Sequence, residues 1–178
     1  MPILSYALKT VSTLLTIAAV LIKGVNLNFI QVLLFVANVV SGVGYIADGA
    51  AGYNAAGTCI IAGVQAIINY SFQSKNKPIP KYLIVIYAVS FIAYNIVVSG
   101  LNLPCVIAIA AALCFVMSIA QPNGKMFRFW CIFNNIVWIA YDLVAATYSG
   151  LIIHVTMLAV TIFGILLHDL KKKPEENT

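Results

Sequence analysis

Between Phe133 and Asp142 the chain reads FNNIVWIAYD, placing two amides, an indole, a phenol and a carboxylate in an otherwise apolar run. In helical spacing Asn134, Trp138 and Tyr141 follow i, i+4, i+7, and Asn135, Trp138 and Asp142 follow i, i+3, i+7, so all five share one sector. Such a face can hydrogen-bond a small polar solute and stack a flat part of it on an aromatic ring. Asp142 adds a group that can take up and release a proton. His154, on the next predicted helix, lies at a similar depth from the same end, and the two can form either a structural hydrogen bond or a proton-linked gate.

The elements that carry these residues must cross a membrane. The chain of 178 residues is 62% hydrophobic and 8% charged, with a mean hydropathy of +1.00, whereas soluble domains are about 25% charged. About 20 apolar residues make one spanning helix. The pattern gives seven: about 3–22, 29–47, 52–72, 82–98, 103–120, 127–146 and 149–167. The first is expected to be an uncleaved span, since no small-x-small cleavage site follows it. Lys9, two turns into it, is expected to extend its stem to the near interface. QSKNKPIPK, from Gln73 to Lys81, reads as a loop because of its two prolines and three lysines. In the third span Gly52, Ala56 and Gly63 form a small-residue side suited to close helix packing.

With seven alternating spans, nine of the ten basic residues fall on one side: Lys23, Lys75, Lys77, Lys81, Lys125, Arg128 and Lys171 to Lys173. The positive-inside rule then puts the C-terminus in the cytoplasm and the N-terminus outside. The net charge of +5 is accounted for by an anionic leaflet, without nucleic acid as a partner. Cys59, Cys105, Cys114 and Cys131 have no metal-ligand spacing and read as small core residues. No phosphate loop, HExxH pair or nucleophile elbow occurs, and His154 and His168 are too far apart to form an i, i+4 metal pair. No enzyme activity, cofactor or metal is expected. Asp48 reads as a solvated residue at the end of the second span.

Sliding the chain by 97 residues lays Gln31 to Gly44 over Arg128 to Tyr141 and brings Asn38 onto Asn135. After a gap of two residues, Tyr53 falls on Tyr148. The expected organisation is a single all-α membrane domain over 1–178, with a 3+1+3 parallel repeat of triple-helix bundles. The first unit is 1–73, a loop and linker helix occupy 74–100, the second unit is 101–170, and 171–178 form a cytoplasmic tail. This layout resembles the SWEET and PQ-loop superfamily of transporters. The second unit, from NNIVWIAYDLVAATYSGLI onward, resembles in particular the bacterial inner-membrane YgjV family, a relative of that group.

The resemblance implies an inner-membrane carrier that handles a small uncharged or zwitterionic solute, sugar-like first, at a central site between the two bundles. By residue type it assigns solute binding to Asn38, Asn134, Asn135, Trp138 and Tyr141, and gating or proton coupling to Asp142 and His154. The Pro-Gln pair of the superfamily is missing: Pro104 opens span five, and Gln121 and Pro122 follow it in reversed order. Two alternatives stay open, a structural or assembly subunit whose amides only join helices, and a carrier of nicotinamide-type vitamins. The expected partners are the solute and the lipid bilayer, and a homo-oligomer is left open. A cysteine placed at Ser99 or Thr147 in a cysteine-free background is predicted to react with an impermeant thiol reagent outside intact cells, and one at Asn76 is not. The reverse labelling pattern would invert the orientation.

Overall fold

A computed structural model describes residues 2–21, 27–47, 53–121, 123–145 and 148–169. Lys23, Asp48, Gly52, Pro122, Thr147 and Lys171 to Lys173 lie outside the described residues. The described residues form seven α-helices: α1 (Pro2–Leu21), α2 (Leu27–Ile46), α3 (Tyr53–Gln73), α4 (Lys81–Ser99), α5 (Leu103–Ile119), α6 (Gly124–Val144) and α7 (Tyr148–His168). Five of them are long and apolar enough to cross a membrane, namely α1, α2, α3, α4 and α7. Helix α5 is apolar but has only 17 residues, and α6 is long enough but carries Arg128, two asparagines and Asp142.

The helix ends follow local chemistry. Asn102 caps α5 by accepting from the Cys105 N–H at 2.8 Å, just ahead of Pro104, whose missing N–H costs nothing in a first turn. Asn123 does the same for α6, accepting from the Met126 N–H at 2.9 Å. That cap starts α6 at Gly124, one turn before the expected Phe127. Helix α3 ends in a Schellman motif. Lys77 N–H donates to Phe72 O at 3.0 Å, Asn76 N–H donates to Gln73 O at 2.9 Å, and Asn76 takes a left-handed φ of 51°. The chain then runs extended through Pro78 and Pro80 into α4. Gly100 ends α4 at φ 67°, where a side chain would be strained.

Packing inverts the usual placement of polar groups. Every helix leaves large aliphatic side chains uncovered, among them Ile3, Val39, Ile60, Val85, Val106, Ile136 and Ile152. The buried set includes Gln31, Gln65, Asn69, Asn95, Asn135, Asp142 and Thr161. Hydrocarbon outside and hydrogen bonds inside is the distribution a bilayer enforces. Each helix packs on its neighbour in sequence, α2 and α3 most extensively, and α1 packs on α7, which closes the helices into a ring. Gly63 contributes to the α2–α3 contact, since a Cβ there would lie 3.6 Å from Phe35 and 3.8 Å from Asn38.

Short connections make consecutive helices antiparallel, which gathers Lys75, Lys77, Lys81, Lys125 and Arg128 at one end of the ring, called here the basic end. Arg128 does not simply anchor at a surface, as its place in the charge pattern implied. It is 4% exposed, and its Nε and Nη2 donate to the two carboxylate oxygens of Asp169 at 2.9 and 2.6 Å. Gly124 and Gly164 leave the room it needs: added Cβ atoms there would come within 3.4 Å of its Nη1 and 3.3 Å of its Cδ. Beside it, His168 Nε2 donates to Leu21 O at 3.0 Å and ties the last turn of α7 to the last carbonyls of α1.

Because both partners of the Arg128–Asp169 pair are 5% exposed, removing one leaves the other charge buried and alone. Asp169→Ala should lower stability by about 3 to 5 kcal/mol, and the double change Arg128→Met with Asp169→Leu should recover most of that loss. Thermal unfolding of the single and double variants in detergent measures both.

Candidate functional site: a central polar cavity

All seven helices contribute to a cavity of about 190 Å³ within the ring. A cavity of about 150 Å³ holds benzene, so this one has the scale of a single six-membered ring. Its wall is mixed. Leu34, Phe91, Phe115, Phe127 and Met157 supply apolar surface, while Ser12, Thr13, Thr16, Asn38, Ser41, Thr58, Asn134 and Asn135 supply amides and hydroxyls. Helices α1 and α2 each carry these polar side chains along one face, at the three- and four-residue steps that keep a helix side turned inward.

Much of the donor capacity of that wall is spent locally. Ser12 Oγ donates to Ala37 O at 2.8 Å, Thr13 Oγ1 to Lys9 O at 2.8 Å and Thr16 Oγ1 to Ser12 O at 2.9 Å. Asn38 Nδ2 donates to Leu34 O at 2.7 Å and Asn135 Nδ2 to Cys131 O at 2.8 Å, each on its own helix. A hydroxyl has one proton and two lone pairs. Once the proton is bonded to a helix carbonyl, only acceptor capacity is left.

On α6 and α7, four side chains form one connected set. His154 Nδ1 lies 2.6 Å from Asp142 Oδ2, and its ring stacks on the Trp138 indole with centroids 5.4 Å apart and planes 10° apart. Trp138 in turn meets the Tyr141 ring edge-on at 5.2 Å. Asp142 is 3% exposed and sits behind His154, away from the cavity lining. With the carboxylate accepting at Nδ1, His154 keeps Nε2 for other hydrogen bonds. Gly150 is what lets α6 and α7 approach here: a Cβ at that position would overlap the Asp142 carboxylate and come within 2.9 Å of its Cγ.

Of the residues expected to bind solute, Asn38, Asn134, Asn135 and Trp138 line the cavity, as does His154. Tyr141 and Asp142 do not line it and reach it through Trp138 and His154. Asn134 also joins helices, its Nδ2 donating to Ala111 O of α5 at 2.7 Å. One face of Trp138 is covered by His154, so only the other could receive a ligand. Sequence reasoning missed Lys9 here. It lines the cavity, with its Nζ 4.3 Å from the ring centroid of Tyr45 in the last turn of α2. Its position as the one basic residue off the common side was the available signal. Cys59 and Cys131 also line the cavity, which their reading as core residues did not foresee.

Comparison with known proteins bears on the setting of this cavity. The family described as bacterial inner membrane protein, Imp-YgjV, matches residues 3–172. The chain belongs to that family. No curated protein and no solved structure matches it. The family places the protein in the bacterial inner membrane, where the uncovered aliphatic side chains of the ring face lipid and the cavity is its polar interior.

The Asp142–His154 contact depends on the missing side chain at Gly150. Gly150→Ala should force the pair apart and lower stability by about 1 to 3 kcal/mol, the usual range for overpacking. Gly164→Ala, which crowds only the flexible stem of Arg128, should leave the pair in place. Thermal unfolding together with histidine ¹⁵N chemical shifts, which report the proton on each ring nitrogen, distinguishes the two.

Proposed function

We propose that this YgjV-family protein is a carrier for a small uncharged polar solute, sugar-like first, and that the central cavity is its binding site. The observation that carries this reading is the cavity itself: hydroxyls, amides, Lys9 and the Trp138–His154 stack converge on one space inside a lipid-facing ring. A structural subunit needs interhelical hydrogen bonds but no such space. The acceptor-rich wall favours a solute rich in hydroxyl donors, and the apolar patches favour one with a ring face. The second reading, a nicotinamide-type solute, draws on the flat Trp138–His154 pair.

In this reading α1–α3 and α5–α7 are two three-helix units in parallel repeat, α4 is the linker, and the chain is SWEET-like in layout. Equivalent contacts support the repeat. Ser12 meets Ala37 O between α1 and α2, Asn134 meets Ala111 O between α6 and α5, and Ala37 and Asn134 stand at the same 97-residue offset as Asn38 and Asn135. The last carbonyls of the first helix of each unit are also treated alike. Leu21 O accepts from His168 of α7, and Ile119 O accepts from Asn69 of α3 at 3.4 Å, each donor lying on the third helix of the other unit. The positive-inside rule puts the basic end and the C-terminus in the cytoplasm. Asp142 and His154 then lie nearer the outer side than Asn135 and serve gating or proton coupling.

The test is thermal stability in detergent against glucose, sorbitol, nicotinamide and neutral amino acids, followed by uptake into liposomes. A ligand at 100 times its Kd should add about 2.7 kcal/mol of stability. Trp138→Ala should weaken binding of the responding solute by about 1 to 3 kcal/mol, taking base stacking as the analogue. Asp142→Asn should spare binding and change the uptake rate or its dependence on pH. A panel with no shift at all would favour the structural-subunit reading.

A further inference from the structure

The inward face that lines the cavity does not end with it. On α3 the lining positions Ala55, Thr58 and Ala62 are followed, three and seven residues after Ala62, by Gln65 and Asn69. On α2, Leu34 lines the cavity and Gln31 stands three residues further towards the basic end. On α5, Phe115 lines it and Ile119 stands four residues further. Three helix faces thus run on together; α2 and α3 bring amide side chains and α5 brings the Ile119 carbonyl. Gln31, Gln65 and Asn69 are 2%, 0% and 0% exposed.

These amides are poorly used by the fold. Gln31 Nε2 and Asn69 Nδ2 share one acceptor, Ile119 O, at 3.3 and 3.4 Å, both long. Asn69 Oδ1 accepts from Tyr87 OH at 3.2 Å. Gln31 Oε1 has no partner, and neither the nitrogen nor the oxygen of the Gln65 amide has one. A fully buried glutamine with both ends unpartnered is costly for a protein at rest. Leucine or methionine would fill the same volume without that cost. Among these residues no aspartate, glutamate, lysine or arginine occurs, so the cluster is suited to a neutral guest.

We infer that Gln65, with Gln31 and Asn69, forms a second, inner site for an uncharged solute bearing hydroxyl or carboxamide groups, between the central cavity and the basic end. This rests on the carrier reading of the cavity. The Gln65 amide offers one acceptor and two N–H donors to such a group. The Ile119 carbonyl, at the end of α5, holds Gln31 and Asn69 together across the way out. Release of that shared acceptor frees two further amides for the solute as it passes.

The experiment uses the full chain in liposomes with its four cysteines replaced by alanine and one thiol introduced at a time, by Ser41→Cys, Gln65→Cys or Ala111→Cys. The probe is 2-hydroxyethyl methanethiosulfonate, a neutral hydroxyl-bearing reagent that attacks only where water lets the thiolate form. Ser41 lines the central cavity, whereas Ala111 is fully buried at the α5–α6 contact. The inner site requires labelling at position 65 close to that at 41 and about tenfold or more faster than at 111, which a sealed core position would not show. Fast labelling at 41 with position 65 as inert as 111 overturns the inner site and leaves the carrier reading standing. Position 41 as inert as 111 removes the carrier reading and the inner site with it. Equal, fast labelling at all three overturns the inner site as well, since it reports general loosening. Should Gln65→Cys fail to fold, Gln65→Leu decides: an unpartnered amide predicts an unchanged or higher melting temperature, and a fall would show that the amide holds the fold together.

Discussion

The cost of leaving a polar group unbonded in hydrocarbon governs the whole architecture. Helices satisfy their own backbone, but side chains such as Arg128 and Asp142 must be turned inward and given partners. A ring of helices provides an inside for them. Aliphatic side chains cover its outer surface, and the polar residues that interrupt the apolar helices gather along its axis. The Arg128–Asp169 pair shows the rule at its most demanding, with two opposite charges matched in a two-pronged contact and two glycines making space for the longer side chain.

The two ends of the ring are built differently. Towards the basic end lies an apolar cluster that includes Val20, Ile30, Ile119 and Phe127, flanked by the Arg128–Asp169 pair and by side chains that take up the last carbonyls of α1 and α5. Helix C-termini leave such carbonyls unbonded, and here His168, Gln31 and Asn69 from other helices bond them. A helix end is thereby converted into a tertiary contact. Towards the other end the polar contacts hold α6 to α7 through Asp142 and His154, and the cavity extends to Tyr45 and Ala55.

The helices were legible in the sequence because hydropathy and length report on spanning segments almost independently of tertiary contacts. Six starts and seven ends agree with the structure to within two residues, and the exception, α6, was shifted by the local cap at Asn123. The Asp142–His154 proximity was also legible, since depth along consecutive antiparallel helices fixes it. What could not be read was rotation about each helix axis. Lys9 can reach an interface or a cavity from the same depth, and only packing against Tyr45 and the walls of α2 decides. Arg128 likewise counts as an end residue in a charge pattern, and its partner lies 41 residues away, beyond the reach of any periodicity.

The same limit explains why asparagines alone could not separate a binding site from helix-joining contacts. Asn134 and Asn135 are adjacent in sequence and both line the cavity, yet one donates to a neighbouring helix and the other to its own. Serine and threonine in a lipid-enclosed helix bond their protons to nearby carbonyls for the same reason, as Thr13 and Thr16 do. A cavity walled by such residues therefore presents lone pairs more than protons. The N–H groups of the wall belong instead to the asparagine amides, the Trp138 indole, Lys9 and His154, the last two each set against an aromatic ring, Tyr45 or Trp138.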